Sequence, residues 1–299
     1  MVIELERHKI PHLKSPIRMI DYVLGLFPQT KTKNSVKKAI KREQLLLNGK
    51  ITATGTWMQE GDVITFVDPL KGVPRPYEAN IEILFEDDSL ALVNKPPGIR
   101  VSGNYYKTLE NCMIDVIVPS DENDGYRWAR PVHRLDIPTQ GIVVFAKSLK
   151  MHQKLSHMFE TRQIHKTYLA VVVGAVQSQE VKQTLDGKSG LTKIKVLQTT
   201  RSHRNDFLSL VELNPITGRT HQLRRHCAGI GHPIVGDETY GVEGKTLLHK
   251  GLFLASTAIS FVHPETGIEV NTSINPPHKF NALIEREESR WRKFNVDGS

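Results

Sequence analysis

The sequence predicts an α+β fold: a large mixed, mainly antiparallel sheet with flanking helices, preceded by a small domain of helices and a hairpin. Three observations point there. Short apolar runs recur between residues 81 and 272, many closed by tight polar turns, the pattern of strands. Apolar residues at helical spacing occur only in a few windows between those runs. Residues 68–80 carry Pro69, Pro74 and Pro76 with no hydrophobic period, which marks a semi-rigid linker between a small unit and a large one.

Taken in order, residues 1–16 are polar and broken by Pro11 and Pro16, so an extended arm is expected. Ile17, Ile20, Leu24 and Phe27 suit one short helix. A second, capped by Asn34 or Ser35, turns Val36, Ala39 and Ile40 inward and Lys37, Lys38, Lys41 and Arg42 outward. Asn48-Gly49 between apolar runs signals a hairpin, and Gly61-Asp62 turns the chain into a strand, Val63 to Val67. The small domain is expected over 17–67 and the large one over 81–299.

In the large domain, Ile81 to Phe85 and Leu90 to Asn94 form a hairpin across Glu86-Asp87-Asp88, ended by Lys95-Pro96-Pro97-Gly98. Lys95 reads as a structural lysine beside a turn. Residues 103–128 read as a loop with one helix, Leu109 to Val118. Ile142 to Ala146 is a buried strand, and Met151, Leu155, Met158 and Phe159 mark an amphipathic helix. Ile164 to Gly174 is a long strand, and 177–206 should hold exposed strands and a loop. Phe207 to Leu213 leads through Pro215-Ile216-Thr217-Gly218 to a helix from about Thr220 that buries Leu223, Cys227 and Ile230. Leu252 to Ala255, Ala258 to Val262 and Ile268 to Thr272 complete the sheet. A helix from Pro276 to Phe294 docks through Phe280, Leu283, Ile284 and Trp291.

With 299 residues the chain can bury a sizeable core. Its net charge of +8 favours an anionic partner, and the charge is uneven. In residues 17–50, Arg18, Lys31, Lys33, Lys37, Lys38, Lys41, Arg42 and Lys50 stand against Asp21 and Glu43, which ranks nucleic acid above an acidic small molecule. Cys112 and Cys227 are too few for a disulfide framework or a thiolate metal site. No apolar run approaches the roughly 20 residues of a membrane span, and MVIELERHKI has no signal-peptide core. A cytoplasmic monomer with no membrane partner is expected.

The chemistry concentrates in Arg130 to Ser148, RPVHRLDIPTQGIVVFAKS. A charged turn, His133-Arg134-Leu135-Asp136, passes through a bend at Pro138 to Gly141 into the apolar strand. An Asp and an Arg just ahead of such a strand are held near the core, where a charge needs a partner. That is how a catalytic carboxylate is presented, although an isolated Arg-Leu-Asp would more often cap a turn.

The stretch HRLDIPTQGIVVFAKS resembles the signature of bacterial RNA pseudouridine synthases typified by enzymes acting on large-subunit ribosomal RNA, departing only at Gln140, where a small hydroxyl residue is usual. LALVNKPPGIRV resembles the same family's first block, whose Lys-Pro pair supports the active-site wall. Lys166, Tyr168 and Ala170 fall on its KxYxA block. GRTHQLR, GHPIVGD and Tyr240-Gly241 match the third, so the resemblance covers residues 81 to about 262. Residues 17–67 resemble a small RNA-binding domain first known from a small-subunit ribosomal protein, with Lys33-Asn34-Ser35 in place of the usual Ser-Arg and Glu43-Gln44 where a Gly is common.

The resemblance implies a synthase-type sheet domain that isomerises uridine in RNA, breaking the bond from nitrogen 1 to ribose and rejoining the base through carbon 5. No cofactor or metal is needed for that. It makes Asp136 the catalytic carboxylate, as nucleophile or as base, and Tyr168 the residue beside the uracil. Arg224 pairs Asp136, with Arg219 as the alternative. Arg134 fills the space the base vacates or binds a phosphate, and His133 and His221 join the substrate site. Lys33, Lys37, Lys38, Lys41 and Arg42 would bind RNA, with large-subunit rRNA favoured over tRNA. Two other readings are a non-catalytic RNA-binding protein and a metal-dependent RNA hydrolase built on the histidines, where His221, His226 and His232 stand with Cys227. Those four match no common zinc spacing, and two sit beside arginines.

Overall fold

The computed structural model describes residues 3–68, 74–122, 124–242, 247 and 249–296. The chain begins with β1 (Ile3–Lys9), β2 (Ile17–Arg18), α1 (Met19–Tyr22), a 3-10 turn (Pro28–Thr30), α2 (Lys33–Lys41), β3 (Leu45–Leu47), β4 (Lys50–Ile51), β5 (Trp57–Met58) and β6 (Val63–Asp68). The expected N-terminal arm is instead largely a strand. β1 runs antiparallel to β6 from Ile3 opposite Asp68 to Lys9 opposite Val63, giving a sheet in the order β1-β6-β3-β4. Pairing covers the otherwise open edge of β6 and brings Ile10 into the core, while Pro11 and Pro16 fall after the strand, where they break nothing.

The single helix expected from Ile17 is a two-residue strand, one helical turn and a 3-10 turn, because Gly25 (φ 79°) and Pro28 interrupt the helical path. Thr32, ahead of both expected caps, closes α2: its hydroxyl accepts the Ser35 backbone N–H, and Ser35 Oγ accepts the Thr32 N–H. Asn48 and Gly49 both have positive φ, 51° and 77°, as a two-residue hairpin turn requires. Met19, Val23, Phe27, Val36, Ile40, Leu45, Met58 and Ile64 fill a core separate from that of the large sheet.

Pro69 and the rest of 69–73 lie outside the described residues. Residues 74–80 have no regular structure yet are tied down: the Tyr77 N–H donates to Asn111 O at 3.1 Å.

Next come β7 (Glu82–Glu86), β8 (Leu90–Lys95), α3 (Leu109–Cys112), β9 (Gly125–Pro131), β10 (Gln140–Ser148), α4 (Leu149–Glu160), β11 (His165–Val173), β12 (Gln179–Leu185), β13 (Lys188–Ser202), β14 (Asp206–Pro215), α5 (Gln222–Gly229), β15 (Leu254–Val262), β16 (Glu269–Ser273) and α6 (His278–Val296). Among the described residues they form one ten-stranded sheet, ordered β12-β13-β14-β11-β15-β10-β8-β7, with β16 on β15 and β9 on β10. Its pairings are antiparallel except that of β10 with β15. Alternation along β8 and β10 feeds both faces. Ala91, Val93, Val143 and Phe145 join the core under α3, α5 and α6, while Leu90, Leu92, Ile142, Val144 and Ala146 join the core under α4.

In the large domain three expectations are corrected. The helix from Leu109 to Val118 is one turn, ended before Asp115, whose φ is +63°. Residues 125–128, read as the end of a loop, belong to β9, where aromatics and arginines conceal the alternation. The two strands from Leu252 to Val262 are one, β15, with a register irregularity opposite Thr167 and Tyr168. Among the described residues no helix is long and apolar enough to cross a membrane.

Candidate active site

The HRLD turn is fixed from three sides. The Thr139 N–H donates to Asp136 O at 3.1 Å, the Gly98 N–H to Ile137 O at 2.8 Å, and Lys95 Nζ to Ile137 O at 3.2 Å and Pro96 O at 2.9 Å. Gly141 then enters β10 with φ +125°, pressed so closely on β15 that a Cβ would stand 2.1 Å from Ser256 O. Only glycine fits there. Across β15, Ser256 is the partner of Tyr168 on β11. The parallel pairing of β10 with β15 thus brings the Asp136 turn and Tyr168 to the same end of the sheet.

α5 completes the constellation. Its Arg224 is 5 % exposed and donates from Nε and Nη2 to the two oxygens of Asp237, at 2.7 and 2.8 Å. Its Nη1 stands 3.5 Å from Asp136 Oδ2. His221, just before α5 and in the left-handed region at φ 53°, approaches Asp136 Oδ1 to 3.7 Å through Nε2, while its Nδ1 is 3.0 Å from the Tyr240 hydroxyl. A backbone held there against preference is found where a side chain must be aimed. The Asp136 side chain, 19 % exposed, opens into a cleft of about 600 Å³ lined also by Arg134, Lys166, Tyr168 and Arg219.

The sequence-chosen residues divide clearly. Asp136, Arg224 and His221 converge, and Tyr168 lines the same cleft. Arg219 does not reach Asp136; its Nε donates to Ser189 O at 3.2 Å. Arg134 is exposed at the cleft. His133 lines the cleft as well, but its Nε2 accepts the Val144 N–H at 3.1 Å and its ring lies 4.7 Å from that of Phe159. On α2, Lys37, Lys38, Lys41 and Arg42 are exposed, whereas Lys33 pairs Asp21 at 2.8 Å.

Desolvation sets the titration of the surrounding groups. It raises the Tyr168 phenol to about 12, so the residue is neutral at pH 7. Lys95 is fully buried beneath the turn, not at the surface; desolvation pulls it down to about 8 against the opposing pull of Asp136. Desolvation, then the charge of Lys166, pulls His133 to about 3. His226 and His232 are engaged elsewhere, with Thr192 and Val173 O, and no group of three or more ligating side chains among the described residues could hold a metal.

Sequence reasoning missed Asp237 and Tyr240. The signal was in GHPIVGD and Tyr240-Gly241, matched as a block but given no role; in the fold Gly236 (φ 76°) has room for no Cβ, because one would stand 2.0 Å from Gly251 O, so the turn before Asp237 requires glycine.

The RNA pseudouridylate synthase family model matches residues 89–229. The ribosomal large subunit pseudouridine synthase C of Rickettsia bellii is 31% identical over 91% of this chain and 99% of its own. The dual-specificity RNA pseudouridine synthase RluA of Haemophilus influenzae is 34% identical over 64% of this chain and 91% of its own. Among solved structures, human RNA pseudouridylate synthase domain containing 4 aligns with a TM-score of 0.52 and 26% identity, covering 68% of this chain and 92% of that one. The sheet and its carboxylate-bearing cleft, taken with these likenesses, define an RNA-modifying isomerase. The chain belongs to the RNA pseudouridylate synthase family.

Proposed function

We propose that this pseudouridine synthase isomerises uridine in large-subunit ribosomal RNA, with Asp136 as the reacting carboxylate. The observation that carries the reading is the position of Asp136, between Arg224 and His221, in the lining of a cleft that Tyr168 also lines. The rRNA substrate is supported by the name of the Rickettsia relative and by the exposed cations of α2.

In this reading Asp136 either attacks the sugar or removes a proton from it, while Arg224 balances the charge on the carboxylate. Tyr168, a neutral phenol, lies beside the uracil and assists proton transfer at carbon 5. The extruded base costs a few kcal/mol in lost stacking; Arg134, exposed at the cleft, fills the vacated space or takes a phosphate. The exposed Lys31–Glu160 ion pair (2.7 Å) joins the approach to α2 with a cleft-lining residue, which supports RNA contact by Lys37, Lys38, Lys41 and Arg42 on the way to the cleft. The basic unit over 17–67 acts as an RNA-binding domain on the sheet domain, in a cytoplasmic monomer.

The test is label release from rRNA and tRNA carrying tritium at uracil carbon 5. Wild type should release label from large-subunit rRNA, and Asp136→Asn should not. Equal background release by both proteins on every RNA would remove the reading of Asp136, and release from tRNA alone would move the substrate.

A further inference from the structure

Away from the cleft's own lining, three tyrosines and three cations are interleaved on one surface. The Arg100 guanidinium carbon lies 4.3 Å from the Tyr105 ring centroid, that of Arg75 lies 5.6 Å from Tyr106, and Lys107 Nζ lies 5.8 Å from Tyr77. Tyr77 and Tyr106 meet edge to face at 5.3 Å. Tyr105 and Tyr106 are nonetheless 58% and 46% exposed, so their remaining faces are open to solvent.

This surface is built, not incidental. Asn111, 6% exposed, donates from Nδ2 to Tyr105 O at 3.1 Å and Tyr106 O at 2.8 Å, and its own carbonyl holds Tyr77. The Tyr106 hydroxyl donates to Pro76 O at 3.2 Å, clamping the chain that arrives from the basic N-terminal unit. Among the described residues none of Arg75, Arg100 and Lys107 is paired with a carboxylate; nearby Glu110 is directed to Trp128 and Arg130.

The location ties the surface to the catalytic turn. Arg100 follows Gly98 by two residues, and the Gly98 N–H donates to the carbonyl of Ile137, the residue after Asp136. Arg100 is thereby joined through Gly98 to the turn that carries Asp136.

We propose that Arg75, Tyr77, Arg100, Tyr105, Tyr106 and Lys107 form a platform for single-stranded RNA, holding the nucleotides beside the extruded uridine. Solvent-facing aromatic rings accept any base by stacking, and unpaired cations follow the phosphates, which is the chemistry of sequence-tolerant single-strand binding. A protein-docking aromatic patch would not need three cations left without acidic partners. The platform also answers a problem of base extrusion: the flanking nucleotides must be held while the target leaves its stack. It rests on the reading that RNA is the substrate.

The test uses the full chain and a fluorescent oligoribonucleotide of about 12 adenosines and cytidines, which contains no uridine and so separates binding from isomerisation. Tyr105→Ser should weaken binding roughly 10-fold, while Tyr105→Phe should bind as wild type, because the ring and not the hydroxyl stacks. Arg100→Gln and Lys107→Gln should each flatten the slope of log affinity against log salt by about 0.7. Tyr105 is exposed, so these variants should melt as wild type does. A wild-type affinity and salt slope in Tyr105→Ser and Arg100→Gln would overturn the platform and leave a protein contact in its place. Equal losses in Tyr105→Ser and Tyr105→Phe would overturn stacking. Label release from uridine-containing rRNA by the same preparations reports on Asp136 independently.

Discussion

Arg224 serves two carboxylates at once: it closes a two-point hydrogen-bonded pair with Asp237 and leaves Nη1 3.5 Å from Asp136. The pair with Asp237 fixes the plane of the guanidinium, because its N–H groups form a rigid fork. Its free edge is then aimed at Asp136 without relying on substrate to orient it. Asp237 is secured in turn by the backbone N–H groups of Thr239 and Tyr240, at 3.0 and 3.1 Å, so the aim of the arginine is set two residues away from the chemistry.

Asp237→Asn should therefore damage catalysis and folding together. Breaking a buried ion pair costs roughly 3–5 kcal/mol, and stability in urea should fall by about that amount. The rate constant at saturating RNA should fall at least roughly 100-fold while RNA affinity changes little. Burial alone would raise the Asp237 carboxyl, but the Arg224 hydrogen bonds and charge, helped by the two N–H donors, hold it below its ordinary value. A carboxyl depressed on folding contributes stability above its unfolded value of 3.8, lost as pH falls through the folded value. The stability gap between wild type and variant should be widest above about pH 4 and close on further acidification. A gap independent of pH would refute the linkage.

His133 should behave as a folding residue with an opposite kind of penalty. Its imidazole accepts the Val144 N–H and cannot do so when that nitrogen is protonated. Desolvation and then Lys166 lower it from 6.5 to about 3. Between those values the unfolded chain binds a proton that the folded chain refuses, so stability is complete above about pH 6.5 and falls as pH drops toward 3. His133→Gln retains an acceptor and removes the titration. Relative to wild type it should gain on the order of 1 kcal/mol at pH 5 over its value at pH 7.5, measured by urea unfolding.

How much of this was legible depended on whether the determinant was local. β10 was readable because five consecutive apolar residues, Ile142 to Ala146, can only be covered on both faces. The Asp136 turn was readable because a charge before such a strand has few places to go. β9 was not, since Arg127 and Arg130 interrupt its apolar pattern and Trp128 is buried with Arg130 packed on its ring at 3.9 Å. β1 was not, because seven residues dominated by charge become a strand only when β6 offers an edge. Arg224 was preferred to Arg219 only through the resemblance, because what fixes its guanidinium is Asp237, 13 residues further along the chain.

Lys95 offers a test in the alkaline range. It is fully buried, its ammonium lies beneath the Asp136 turn, and desolvation lowers it from 10.5 to about 8. Between about pH 8 and 10.5 the unfolded chain carries a proton that the folded chain has shed, so this group makes stability rise with pH across that window. Lys95→Met keeps the volume and abolishes the term: the variant should lead wild type in stability near pH 7 and lose that lead by about pH 10. Its activity should fall, because Ile137 O and Pro96 O lose their donor and the turn carrying Asp136 loosens. Unchanged activity would mean that the Gly98 and Thr139 hydrogen bonds suffice to hold the turn.

The basic helix separates docking from chemistry. Lys37, Lys38 and Lys41 are exposed on α2, while Lys33 is partly neutralised by Asp21 at 2.8 Å. If the first three contact phosphates, replacing all three by Gln should flatten the slope of log affinity for an rRNA fragment against log salt by about 2 to 3, since each contact contributes roughly 0.7 to 0.9. Affinity should fall most at low salt, where each lost counterion release counts for more. Because the helix touches no reacting atom, KM should rise with kcat nearly constant when label release is followed at saturating RNA. Lys33→Gln should flatten the slope less than Lys38→Gln, because the Asp21 ion pair already takes part of its charge. A fall in kcat with an unchanged salt slope would show that α2 acts through the fold of the N-terminal unit and not through phosphate contacts.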